Sequence, residues 1–95
     1  MNYSIFQSYI DNITQEFHVS QEYIFSDGQE RKKTEPRQLF FYLCRLKGIP
    51  IVTVQKFLKE IDFPMHHSTI IQGIKKVEDN IDDDYNQLID RLCQI

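Results

Sequence analysis

The sequence has little of what breaks or staples a chain. Its 95 residues include three glycines, three prolines and two cysteines. No apolar run approaches the roughly 18 residues of a membrane-crossing helix, and Met1–Ser8 lacks the basic start of a secretory leader. A cytoplasmic protein without a membrane partner is expected. Cys44 and Cys93 sit in apolar patterns rather than at metal-ligand spacings, which favours reduced core thiols over a disulfide or a zinc site. Gly28, Gly48 and Gly73 are isolated, and none belongs to a phosphate-cradling loop, so no nucleotide cofactor is expected. The length allows one domain and excludes an enzyme with a separate cofactor fold.

Cationic charge is missing from the two ends. The formal net charge of −3 divides into −5 over residues 1–30, +7 over 31–76 and −5 over 77–95. A ligand feels the local field, because charges more than about 8–10 Å apart are screened. The basic middle is therefore a candidate binding region despite the acidic total. The acidic ends are read as solubilising.

Period-2 alternation is absent, while apolar residues recur at helical spacing. Phe6, Tyr9, Ile10, Ile13 and Phe17 form one stripe, giving a helix over Tyr3–His18. Ser20 caps a short helix that Asp27–Gly28 stops, so residues 1–28 form an N-terminal helical unit. Gln29–Glu35 reads as a loop whose Arg31, Lys32 and Lys33 form a flexible basic arm. Thr34 as cap and Pro36 in a first turn open a central helix to Lys47, with Phe40-Phe41-Tyr42 as core; Gly48-Ile49-Pro50 ends it. Ile51 to about Glu60 buries Val54, Phe57, Leu58 and Ile61. After a tight connection, His67–Asn80 buries Ile70, Ile71, Ile74 and Val77. Residues 36–80 thus hold the central helix and a helix pair. Asp82–Asp84 open a last helix over 82–95. The expected fold is all-α, a single domain over residues 1–95 with about six helices.

The paired helices, the second opening His-His-Ser-Thr, fit a helix-turn-helix. Glu35-Pro36-Arg37-Gln38-Leu39-Phe40-Phe41-Tyr42-Leu43, followed by His66-His67-Ser68-Thr69-Ile70-Ile71-Gln72-Gly73-Ile74-Lys75-Lys76-Val77, resembles the C-terminal DNA-binding domain of the bacterial replication initiator DnaA. The resemblance covers roughly Glu16–Ile95. It implies a Trp-repressor-like helical fold and a sequence-preferring double-stranded DNA-binding module with a role in replication initiation or its regulation. By that resemblance Arg37 enters the minor groove. His66, His67, Ser68 and Thr69 face major-groove base edges, with Gln72 on the same outward face. Lys56, Lys76, Arg31, Lys32 and Lys33 contact phosphates. The ATPase module of the full initiator has no counterpart in these motifs, so the resemblance implies a reader without its motor.

The sequence departs from that pattern. His66 replaces an acidic residue, Phe63-Pro64-Met65 replaces Gly-Gly-Arg in the turn, and the stretch between the motifs is a few residues longer. These changes motivate an alternative: a protein-interaction adaptor, directed at a replication protein, that keeps the fold without specific DNA binding. Metal binding is not expected, since adjacent histidines point about 100° apart on a helix and have no ligand at i+3 or i+4. Ser68 adjoins rather than faces a histidine, so no enzyme and no small-molecule substrate are expected either.

Overall fold

Capping chemistry and apolar spacing set six helices in a computed structural model, which describes residues 3–94. They are α1 (Ser4–Phe17), α2 (Gln21–Ile24), α3 (Arg31–Leu46), α4 (Ile51–Glu60), α5 (His67–Asp79) and α6 (Asp83–Leu92). No strand occurs among the described residues, as the sequence pattern leads one to expect. Two helix starts use side-chain caps, Ser20 as expected from sequence and Asp82 in addition to the dipole role expected of it. Ser20 Oγ accepts from the Tyr23 N–H at 3.1 Å, and Asp82 Oδ1 from the Tyr85 N–H at 2.8 Å.

Three helix ends use a left-handed residue, the first being His18 after α1 at φ +56°. Gly48 follows α3 with φ +83°; its N–H donates to Arg45 O at 2.9 Å, and the Ile49 N–H to Cys44 O at 3.0 Å. This is a Schellman closure, which satisfies two otherwise orphaned carbonyls. The end of α4 repeats it without glycine: Asp62 has φ +60°, and the Phe63 N–H donates to Leu58 O at 2.8 Å.

The start of α3 corrects the sequence reading. Residues 31–35 are helical rather than a loop, and the backbone carbonyl of Glu30 accepts from the Lys33 and Thr34 N–H groups at 2.9 and 3.0 Å. Pro36 therefore lies inside the helix, not at its first turn. The connection between α4 and α5 spans Ile61–His66.

The helix α3 is central: α1, α2 and α6 pack on it as one group, α4 and α5 as another. Its Leu39, Phe40, Leu43 and Cys44 are buried with Ile10 and Ile13 of α1, Leu58 of α4 and Ile70 of α5. Each such large side chain contributes about 1.5–3 kcal/mol by leaving water. Phenylalanines join the groups: Phe6 stacks on Phe57 at 4.7 Å and meets Phe40 edge-on at 6.0 Å. The expected core role of Phe40 and Phe41 holds, while Tyr42, Ile61 and Ile71 are half-buried. On the far side, Asn12 of α1 donates through Nδ2 to the carbonyls of Leu92 and Gln94, beside an Arg91–Glu16 ion pair at 3.3 Å.

Candidate nucleic-acid interface

The helix α5 buries one apolar stripe and leaves a polar one without a packing role. Ile70, Gly73, Ile74 and Val77 face the interior, and Ser68, Thr69, Gln72, Lys75, Lys76 and, in the last turn, Asp79 are exposed. At 100° per residue the exposed set falls on one outward arc. His66 and His67 are exposed at its N-terminal end. His66 caps the helix by its backbone alone, its carbonyl accepting from the Thr69 and Ile70 N–H groups. The N–H groups of the first turn thus point outward at the positive end of the helix dipole, an arrangement suited to an anionic oxygen.

Neighbouring elements fix where that end sits. Gln55 of α4 donates through Nε2 to Met65 O at 3.1 Å, tying the connection to the preceding helix. Gly73 lets α5 approach α3 over Gln38 and Phe41. A cleft between these two helices is lined by Gln29, Thr34, Gln38, Thr69, Gln72 and Lys76. It adjoins a wider opening of about 580 Å³, where Arg31 of α3 and Lys76 of α5 stand with Glu35, Asp82 and Tyr85. Gln29, Thr34 and Gln38 were not singled out from sequence. Their place beside α5 is set by helix packing across some 35 residues, which local periodicity does not carry.

Arg37 departs furthest from expectation. It is 5% exposed, in contrast to the free side chain that groove insertion needs. Its Nε and Nη2 donate to Ile24 O at 3.0 and 2.8 Å, and Nη2 also donates to Ser26 O at 2.9 Å. The guanidinium lies 4.8 Å from the centre of the Phe63 ring. Burial pushes its pKa down, while Asp27 and Glu30 oppose the shift. The planar fork is suited to this task, satisfying two carbonyls while stacking on an aromatic face. Although mostly buried, Arg37 still lines both the α3–α5 cleft and the depression next to it, with Thr69 in each.

The basic arm is likewise not flexible. Arg31 Nε pairs with Glu35 Oε2 at 2.9 Å on an exposed helix turn, a contact of small energetic weight. Lys32 is exposed. Lys33 is held: its Nζ donates to Asp27 O at 2.7 Å and lies 5.0 Å from the centre of the Tyr23 ring. Lys56 is exposed on α4, next to the tethering Gln55. Arg45 and Lys47 stand at the other end of α3, roughly 20 Å along the helix from Arg31 at 1.5 Å per residue. The cations therefore form more than one group, and the Arg31–Lys76 group is the one that borders the exposed arc of α5. Among the described residues no cluster of three or more His, Cys, Asp or Glu is arranged to hold a metal ion.

Comparison with known proteins finds relatives over most of the chain. The chain is 34% identical over 88 residues to the chromosomal replication initiator protein DnaA of Lachnoclostridium phytofermentans, covering 90% of this chain and 18% of that protein. It is 32% identical over 80 residues to chromosomal replication initiator protein DnaA 1 of Chlamydia pneumoniae, covering 83% of this chain and 16% of that one. No family model and no solved structure matches. The chain spans less than a fifth of the length of these relatives. Over nearly its whole length, and with the all-α fold described above, it is similar to DnaA in the manner of a DnaA C-terminal-like domain.

Proposed function

We propose that this domain binds double-stranded DNA and serves replication initiation or its control, with α5 laid in the major groove. The observation that carries the reading is the exposed polar arc of α5: its apolar stripe holds the fold, and Ser68, Thr69 and Gln72 have no packing partner that accounts for them. Ser and Thr hydroxyls can donate to or accept from base edges, a Thr methyl packs on a thymine methyl, and Gln matches adenine. His66 and His67 add imidazole donors at the same end. Lys76, Arg31, Lys32 and Lys56 serve phosphates, with the first-turn N–H groups of α5 assisting. Lys33 and Arg37 act inside the domain instead.

The test is selection of duplexes from a random pool, followed by titration against salt. With about five phosphates neutralised, log K falls with log salt at a slope of about −4 to −5. Thr69→Ala and Gln72→Ala each weaken the selected duplex by about 1–3 kcal/mol, whereas Lys56→Ala weakens every duplex alike. Failure to retain any duplex at low salt removes this reading. The alternative, an adaptor for a replication protein, is favoured by Leu46 and Val52, which are 53% and 56% exposed near the α3–α4 corner. Capture of a protein partner through that corner, unaffected by nuclease, would select it.

A further inference from the structure

Arg37 links two segments that are distant in the chain. One is the stretch from the end of α2 to Glu30. It offers the Ile24 and Ser26 carbonyls to the guanidinium and carries Gln29 to the rim of the α3–α5 cleft. The other is the α4–α5 connection, where Phe63 receives the opposite side of the guanidinium at 4.8 Å. Phe63 also meets Phe25 edge-on at 5.9 Å, so the ring touches both segments. The connection is held at two further points: the Phe63 N–H is closed onto Leu58 O, and Met65 O is held by Gln55. Gln29, His66 and Thr69 then border one shallow depression with Arg37 and Phe63 at its floor.

We propose that Arg37 and Phe63 form a positioning pair that sets the distance between the 27–30 loop and the first turn of α5, and thereby the selectivity of the surface these two segments present. The inference rests on the DNA-binding reading for its functional half and on geometry alone for its structural half. Replacing a turn glycine by Phe63, which looked from sequence like damage to a reading head, here supplies the aromatic face on which a buried cation rests. Charge alone is insufficient for this role. A lysine ammonium has donors enough for both carbonyls but no flat face to lay against the ring while serving them.

The experiment has two arms, on the intact domain carrying Arg37→Gln or Phe63→Leu. In the first, amide hydrogen exchange is followed across the chain. Either variant speeds exchange by about tenfold or more in both residues 24–29 and 62–69, with the α1–α6 contact unchanged. Exchange that rises in one segment only overturns the coupling. In the second, affinity is measured for a duplex selected by the parent protein and for a scrambled one. Phe63→Leu lowers the ratio of the two affinities at least fivefold while leaving the scrambled-duplex affinity within twofold, which loss of folded protein would not do. A folded Phe63→Leu domain with the parent ratio overturns the functional half. If Arg37→Gln fails to fold, Phe63→Leu alone decides both arms. A parent domain that retains no duplex sinks the DNA-binding reading and the functional half with it, and the exchange arm still decides the coupling.

Discussion

Gly73 of α5 lies against Gln38 of α3 so closely that a Cβ added to it would meet Gln38 Cγ at 3.1 Å and Phe41 Cδ2 at 3.4 Å. The α3–α5 pair is the most extensive helix contact in the fold, and this glycine sets its separation. Alanine here gains about 1 kcal/mol of helix propensity and must displace a half-buried, flexible glutamine. Gly73→Ala should therefore stay within about 0.5 kcal/mol of the parent in urea unfolding. Gly73→Leu has no room against Phe41 and should cost about 1–3 kcal/mol or more. It should also tilt the exposed arc of α5, seen as altered amide shifts at Thr69 and Gln72.

Two of the left-handed helix ends, Gly48 and Asp62, should respond with opposite signs. Nothing lies within 4 Å of a Cβ at Gly48, so its φ of +83° is the whole reason for glycine. Gly48→Ala should cost about 1 kcal/mol. Asp62 already bears that strain at φ +60°. Asp62→Gly should relieve it and raise stability by about 0.5–1 kcal/mol, read as a higher midpoint in thermal unfolding.

Loss of the Arg37 side chain is expected to be a stability lesion before it is a binding one. Arg37→Ala leaves the Ile24 and Ser26 carbonyls without their donors and a hole beside Phe63. An unsatisfied buried acceptor costs about 1–3 kcal/mol. Chemical unfolding should show a loss of about 2–4 kcal/mol, of which Arg37→Lys recovers only part.

Cys44 gives the alkaline limb of the stability profile. Burial pushes its thiol far above the ordinary range; Tyr9, Tyr85 and Cys93 are also raised, chiefly by burial. Above about pH 9 the unfolded chain releases the Cys44 proton while the folded chain keeps it, so the unfolded state binds fewer protons and stability falls as pH rises. Urea unfolding between pH 8 and 10.5 should show a decline whose limiting slope is about 1.4 kcal/mol per pH unit for each such group. Cys44→Ala should flatten it. Alkylation of the folded domain should reach the half-buried Cys93 first and Cys44 only on unfolding.

Local chemistry made most of the helices readable. Ser20 and Asp82 act as caps because a side-chain oxygen needs only the next three residues to do so, and the stripes of α1, α4 and α5 are periodic enough to orient them. The first turn of α3 was missed for an equally physical reason. Arg31, Lys32 and Thr34 bring no apolar stripe to it, a backbone carbonyl opens it, and Pro36 reads as a start signal although it lies within. The exposure of His66 to Thr69 and of Gln72 followed from the motif and the helix period. Arg37 could not: its burial depends on carbonyls 11 and 13 residues away and on a ring in another connection. A cation whose partners are backbone atoms leaves no mark in the pattern of side chains.

The Asn12 clamp has a consequence beyond holding α1 to α6. It brings Asp11 and Glu16 of one helix to the Asp90–Arg91 end of the other, although 75 residues separate Glu16 from Arg91 along the chain. Among the described residues α5 makes no close backbone approach to either helix. Asp11, Glu16 and Asp90 outnumber Arg91 there, which leaves that edge of the molecule a locally anionic pole. A nearby polyanion exerts a torque on such a body, turning the acidic pole outward before any surface has touched.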